Sequence, residues 1–313
     1  EFDSDKAKEL ADSTLNQYQG HISISEKEEE QQVVPVRSVA YSSDGKRMYS
    51  AGGDGRLLAW DVDTREFTEL YRSQNVGRVV NISPNERWLA LGSDLQEIFL
   101  FDLQNPEKEP RRLASHKGAI FDLVFLPDNT GFVSVGADRK VLFSDFESTR
   151  EIAQVSSFIK SLAIAPDSKT LAGGATNGDI FIWDISKEEN NQTEIYREER
   201  EKLSESKKQP VEALSFSNDG KYLAIGGFLQ SEIRSEDGSG YVIIWDMKNK
   251  QQFGPDLGGF TSPVTDVEFN KTDQLLAASS RDATARFWDL ENIYDLPTIP
   301  DDHNDWVLDL AFH

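Results

Sequence analysis

Four histidines, at positions 21, 116, 303 and 313, are the side chains of this chain best suited to proton transfer near neutral pH. Set beside the many aspartates they look catalytic in isolation. A Ser-His-Asp triad needs three groups to converge, however, and nothing in the surrounding phrases brings a spare serine beside them. Metal chemistry fares no better. The oxygen-rich stretches Asp61-Val-Asp63 and Asp301-Asp302 lack the glycine and terminal glutamate of a calcium loop. With no cysteine in the chain, disulfides, thiolate zinc sites and cysteine nucleophiles are excluded. Neither GxGxxG nor GxxxxGK[ST] occurs, which argues against an intrinsic nucleotide site. We therefore expect no catalytic residue, no metal and no cofactor.

The 313 residues carry 33 Lys and Arg against 55 Asp and Glu, a net charge of -22. Nucleic acid and anionic membrane surfaces repel such a field, so neither is an expected partner. Hydrophobic residues make up 38%, enough for a sizeable core. No apolar run approaches the roughly 18 residues of a membrane span, and the acidic start has no signal-peptide character. The expected location is cytoplasmic. The first residue is Glu, so a processed or excised piece of a larger multidomain chain is expected.

The elements that must position any site are repeated. Short apolar runs ending in Asp recur at Leu57–Asp61, Ile98–Asp102, Val141–Asp145, Ile180–Asp184, Val242–Asp246 and Ala285–Asp289, the Asp residues 41, 43, 39, 62 and 43 positions apart. Upstream of each stands an apolar strand running into a turn: Val36–Gly45, Arg78–Glu86, Ile120–Asn129, Ile159–Ser168, Val211–Gly220 and Val264–Asp273. Between the two lies a run of small apolar residues, MYSAGG, LALGS, FVSVGA, LAGGA, LAIGG or LAASS, suited to a crowded sheet interior.

Three phrases in fixed order, six times over, resemble the WD-repeat β-propeller family, from about Val33 to His313. The resemblance implies an all-β fold of four-stranded antiparallel blades: six complete repeats, with Asp305–His313 starting a seventh and a seven-bladed parent. Residues 33–313 then form the propeller. Residues 1–32 form an acidic lead-in with a short helix around Lys6–Tyr18 and either a closing strand or an irregular segment at His21–Ser25. The family's buried network of His, Ser or Thr, Asp and Trp falls here on His116, Ser134 and Asp138, on Asp54 and Trp60, on Asn177 and Trp183, on Ser279, Asp282 and Trp288 with Phe260 near the His position, and on Trp245. Ser144 stands where the third unit would carry Trp.

Family geometry also places one residue of each innermost strand at the channel mouth: Arg37, Arg78, Phe121, Lys160, Glu212, Thr265 and Leu308. Three are cations in an acidic chain, and such a set suits an acidic or phosphorylated peptide of a protein partner. The alternative is that they pair with nearby acids. Two enlargements, Ser186–Gln209 with an outer strand at TEIYRE and a loop at Phe228–Gly240, are expected on that face, while the acidic run Glu26–Gln32 reads as a solvated loop in preference to a part of the same rim. The implied function is a non-catalytic interaction scaffold or sensor. A channel-mouth hydrolase or lyase and a purely structural spacer are the competing readings. The phrases Ile82–Asp94 and Asp102–Asp128 further resemble propellers at the C-terminal ends of large bacterial STAND-type signalling proteins, which implies a sensing or autoinhibitory role.

Overall fold

A computed structural model describes residues 34–114, 116–187, 194–195, 210–230, 238–293 and 307–310. Each recurring phrase forms the strand expected of it. The first sheet is β1 (Val36–Tyr41), β2 (Arg47–Gly52), β3 (Arg56–Asp61) and β4 (Phe67–Arg72), and the second β5 (Gly77–Ile82), β6 (Trp88–Ser93), β7 (Glu97–Asp102) and β8 (Arg111–Ala114). The third is β9 (Ile120–Phe125), β10 (Phe132–Gly136), β11 (Lys140–Ser144) and β12 (Thr149–Gln154), and the fourth β13 (Ile159–Ile164), β14 (Thr170–Ala175), β15 (Ile180–Asp184) and β16 (Glu194–Ile195). The fifth is β17 (Val211–Phe216), β18 (Tyr222–Gln230), β19 (Gly238–Asp246) and β20 (Gln251–Phe260). Among the described residues the sixth has three strands, β21 (Val264–Phe269), β22 (Leu275–Ser280) and β23 (Ala285–Asp289). Every sheet is an antiparallel meander in sequence order, so the fold is all-β.

The core lies between sheets. Five buried clusters each straddle one consecutive pair, as where Leu57 and Tyr49 of the first sheet meet Leu89 and Phe99 of the second. Small residues in the second strands make this packing possible. A Cβ on Gly226 would lie 2.7 Å from Val264, and one on Gly174 only 2.5 Å from Val211. The space is taken by branched side chains of the next sheet's innermost strand, rather than by an approaching backbone as the composition suggested.

The innermost strands β1, β5, β9, β13, β17 and β21 surround a central channel of about 410 Å³. Residues 307–310 take a seventh place between β21 and β1. Leu310 N–H donates to Asp266 Oδ2 at 2.8 Å, Val307 N–H to the Ser280 carbonyl at 3.1 Å, and Val39 N–H to Asp309 Oδ2 at 2.5 Å. Of the seventh unit expected to start at Asp305–His313, residues 307–310 thus sit beside the first sheet, and the rest of that segment lies outside the described residues.

The turns after the innermost strands share one conformation. Their fourth residues, Gly45, Glu86, Asn129, Ser168, Gly220 and Asp273, all have positive φ, between 56° and 69°. Only two are glycine. The others use their side chains to cap the neighbouring sheet's turn: Glu86 accepts from Ser43 N–H at 2.6 Å, Asn129 from Asn85 N–H at 2.8 Å, Ser168 from Asp128 N–H at 3.0 Å and Asp273 from Asn218 N–H at 2.8 Å. The strain of a non-glycine residue at positive φ is offset by a bond that glycine cannot make.

One expectation is corrected. The ends of Phe228–Gly240 are strand rather than loop: β18 and β19 continue past the neighbouring hairpins, pairing Phe228 with Gly240, Leu229 with Ser239 and Gln230 with Gly238, while residues 231–237 lie outside the described residues. Antiparallel register carries on wherever both chains remain extended, and polar composition concealed that. The outer strand expected in TEIYRE is present as Glu194–Ile195, paired to Phe181 and Ile182. The rest of Ser186–Gln209 beyond residue 187, the helix around Lys6–Tyr18, the segment His21–Ser25 and the acidic run Glu26–Gln32 lie outside the described residues.

Candidate functional site

The positions singled out at the channel mouth share a backbone feature. In all six innermost strands the pairing register skips one residue, and the residue skipped is Arg37, Arg78, Phe121, Lys160, Glu212 or Thr265. A β-bulge leaves its extra residue out of the ladder and re-aims the side chain. Six repeats thus present six side chains at one level of the ring, and Leu308 stands at the matching place in the seventh segment, one residue before Asp309.

Three of these side chains meet. The Arg78 guanidinium lies 5.7 Å from the Phe121 ring centroid and the Lys160 ammonium 4.8 Å from it, so one aromatic ring holds two cations. Phe158 meets Phe121 edge-on, with centroids 5.9 Å apart. Arg78 also pairs with Asp94, in the turn between β6 and β7, so the pairing alternative holds for this cation. Arg37 is exposed, and neither it nor Lys160 has an ion pair among the described residues. Thr265 is engaged internally: its hydroxyl lies 2.9 Å from Ser279 Oγ and donates to the Val307 carbonyl. Glu212 and Leu308 are half-buried, away from the Phe121 cluster in strand order.

Exposed apolar side chains gather at the same end of the sheets. Leu95, beside Asp94, is 56% exposed, and Phe158, Val34 and Val36 are 41%, 38% and 52% exposed. Val34 and Phe158 lie in segments entering a first strand, Leu95 lies in the turn joining a second strand to a third, and Val36 opens β1. Phe158 and Leu95 were missed in the sequence; an apolar residue inside an otherwise polar turn was the available signal.

Sequence reasoning also missed the acids of the channel wall. At four of the seven places the residue after the bulge position caps the next innermost strand. Asp122 Oδ2 accepts from Leu162 N–H at 2.6 Å, Ser38 Oγ from Val80 N–H at 3.1 Å, Asp266 from Leu310 and Asp309 from Val39. These carboxyls touch solvent only along the channel and are otherwise enclosed by protein. Burial pushes Asp122 up to about 7 and Asp309 to about 6, and burial together with the neighbouring Asp309 and Glu268 raises Asp266 well above the usual range.

The buried repeat network is present in part. His116 Nδ1 lies 2.8 Å from Asp138 Oδ1 and Nε2 lies 2.9 Å from Ser134 Oγ. A serine therefore stands beside a histidine, as the resemblance implies for His116, Ser134 and Asp138, and in the order of a nucleophilic triad. The His116 side chain is 0% exposed and Ser134 is buried, so no substrate reaches the hydroxyl. Burial lowers His116 more than Asp138 raises it, favouring the neutral ring. Burial alone would raise Asp138, but bonds from His116 and from the Lys117 and Lys140 N–H groups hold it below the usual carboxylate range.

Elsewhere the network is reduced. Trp60 Nε1 donates to Ser50 at 2.8 Å while Asp54 pairs with Arg56. Asn177 donates to Asp179, and Trp183 stacks on Phe181. Asp282 accepts from Thr261 N–H at 2.8 Å, and Trp288 meets Phe260 at 6.0 Å, an aromatic contact where a histidine would hydrogen-bond. Trp245 packs on the core between the fourth and fifth sheets. In the third sheet the Ser144 hydroxyl is buried without a hydrogen-bond partner among the described residues. No group of three or more His, Cys, Asp or Glu side chains suited to a metal ion occurs among the described residues.

Comparison with known proteins bears on this architecture. The WD domain, G-beta repeat family matches residues 14–61, 107–144, 148–184 and 252–289, together just over half of the chain. An Arabidopsis thaliana protein named WD repeat-containing protein WDS homolog is 27% identical over 264 residues, covering 81% of this chain and 46% of its own length. Protein hir-1 of Neurospora crassa is 32% identical over 187 residues, covering 49% of this chain and 18% of its own, and Protein HIR1 of Gibberella zeae is 25% identical, covering 90% and 32%. The chain spans less than half the length of each of these relatives, which are plant and fungal and give no support to a bacterial multidomain setting. Repeated four-stranded meanders, a bulged innermost strand in every sheet and the matched repeats agree: this chain belongs to the WD40 family of β-propeller proteins.

Proposed function

We propose that the loop face of this propeller binds an acidic or phosphorylated peptide segment of a protein partner, centred on Arg78, Phe121 and Lys160. WD40 domains mediate protein–protein interactions and are in general non-enzymatic scaffolds, which makes a non-catalytic interaction role the expected class. The observation that carries the finer reading is the Phe121 ring flanked by two cations, with exposed Phe158 and Leu95 alongside. A carboxylate or phosphate satisfies the cations, while an apolar neighbour in the peptide covers the exposed rings. Arg37 adds charge from the adjacent sheet. Glu212, Thr265 and Leu308 complete the level of the ring and set the limits of the contact.

The net charge of -22 favours such a partner over nucleic acid or an anionic membrane, because only a short local ligand avoids the repulsion of the whole chain. A cytoplasmic setting, and a place in a longer chain with a sensing role like that of bacterial signalling propellers, are further proposals that rest on the sequence phrases alone. Affinity capture with wild type and an Arg37→Glu, Arg78→Glu, Lys160→Glu variant tests the face. A partner held by wild type and lost by the folded variant supports it; equal capture by both overturns it.

A further inference from the structure

We propose that the acidic run at residues 26–30 of this chain docks in cis on the Arg37, Arg78 and Lys160 sector, so that an acidic partner must displace it. The proposal deepens the reading above and rests on the same sector.

Three observations carry it. The first is where the described chain begins. The Pro35 carbonyl accepts from Gly53 N–H at 3.1 Å, and the Val34 side chain lies against Gly53, in the turn between β2 and β3. Residue 34 therefore stands on the loop face, at the same end of its sheet as Asp94 and Arg78 in theirs. The run Glu26, Lys27, Glu28, Glu29, Glu30 precedes it by four to eight residues. At no more than about 3.5 Å per residue that tether reaches on the order of 14–28 Å from residue 34.

The second is charge. The run carries four glutamates and one lysine, and the sector opposite carries three cations, of which Arg37 and Lys160 have no ion pair among the described residues. Arg78 is already paired with Asp94, so Arg37 and Lys160 are the cations of the sector that leave room for carboxylates from elsewhere. The third is the family match. Its first matched span, residues 14–61, is longer than each of the other three, and the acidic run lies within it, ahead of β1.

A tethered segment acts at an effective concentration in the millimolar range, so a weak contact suffices to occupy the sector and to be displaced by a tighter ligand. Zero-length carbodiimide cross-linking of the full chain, followed by peptide mapping, reads the contact directly. The Lys140–Glu151 ion pair is the internal control. The expected result is a link between Lys160 and the peptide containing Glu28–Glu30, lost in an Arg37→Glu, Arg78→Glu variant that keeps Lys160. The companion measurement is binding of a synthetic Glu-Lys-Glu-Glu-Glu peptide to wild type and to a Glu26→Gln, Glu28→Gln, Glu29→Gln, Glu30→Gln variant, which should bind about tenfold more tightly. A control link without the Lys160 link, or equal peptide affinity for the two proteins, overturns cis docking. Peptide binding that persists while cis docking fails leaves the proposed function standing; absence of peptide binding to either protein overturns both.

Discussion

Replacing Asp122 by Asn changes how this propeller responds to pH. The Asp122 carboxyl accepts from Leu123 N–H at 2.7 Å and Leu162 N–H at 2.6 Å, holding β9 to β13, and burial raises it to about 7. The unfolded chain carries this group near 3.9. Between those values the folded protein keeps a proton that the unfolded chain releases, so this group's stabilisation is full below about pH 4 and is lost as pH rises through 7. Three pH units correspond to about 4 kcal/mol, reduced by the extent to which the open channel solvates the carboxylate. Asn retains one acceptor and cannot ionise. The stability advantage of wild type over Asp122→Asn, measured by urea unfolding, should therefore be larger at pH 5 than at pH 8, shrinking by about 1–2.5 kcal/mol because only two of the three units lie above pH 5. Asp309 helps to raise Asp122 and itself titrates at about 6, so the two carboxyls share this window. An advantage that stays constant from pH 5 to pH 8 would refute the reasoning.

The Arg37→Glu, Arg78→Glu, Lys160→Glu variant should lose partner capture while its thermal midpoint stays close to that of wild type, since all three side chains lie outside the buried core. His116→Ala should destabilise by about 1–3 kcal/mol in chemical unfolding, because Ser134 and Asp138 each lose a buried partner. Gly226→Ala should cost about 1–3 kcal/mol by driving a Cβ into Val264, whereas Gly258→Ala, where an added Cβ meets nothing within 4 Å, should leave the midpoint nearly unchanged. Deleting Ser231–Ser239 should be tolerated in a thermal melt, because β18 pairs with β17 only as far as Gly227 and the hairpin beyond it lies outside that ladder.

The sequence alone determined three strands and the turns of each repeat, and through the resemblance those repeats carry it implied the fourth strand and the ring. Each of these depends on local residue type recurring at a fixed period, and a bulge position in one repeat predicts it in the next. That is why Arg37, Arg78, Phe121, Lys160, Glu212 and Thr265 were identifiable together although the bulges were not. Tertiary structure decided which of the six act together. Phe121 gathers Arg78 and Lys160 because β5, β9 and β13 are neighbours around the channel, a relation between residues some 40 positions apart. It also decided that Ser134 and His116 form a sealed pair, and that Asp122, Asp266 and Asp309 are held between strands with their carboxyls raised. Charge state and accessibility depend on what surrounds a group from every side, and a chain reads its own surroundings only once the sheets have packed.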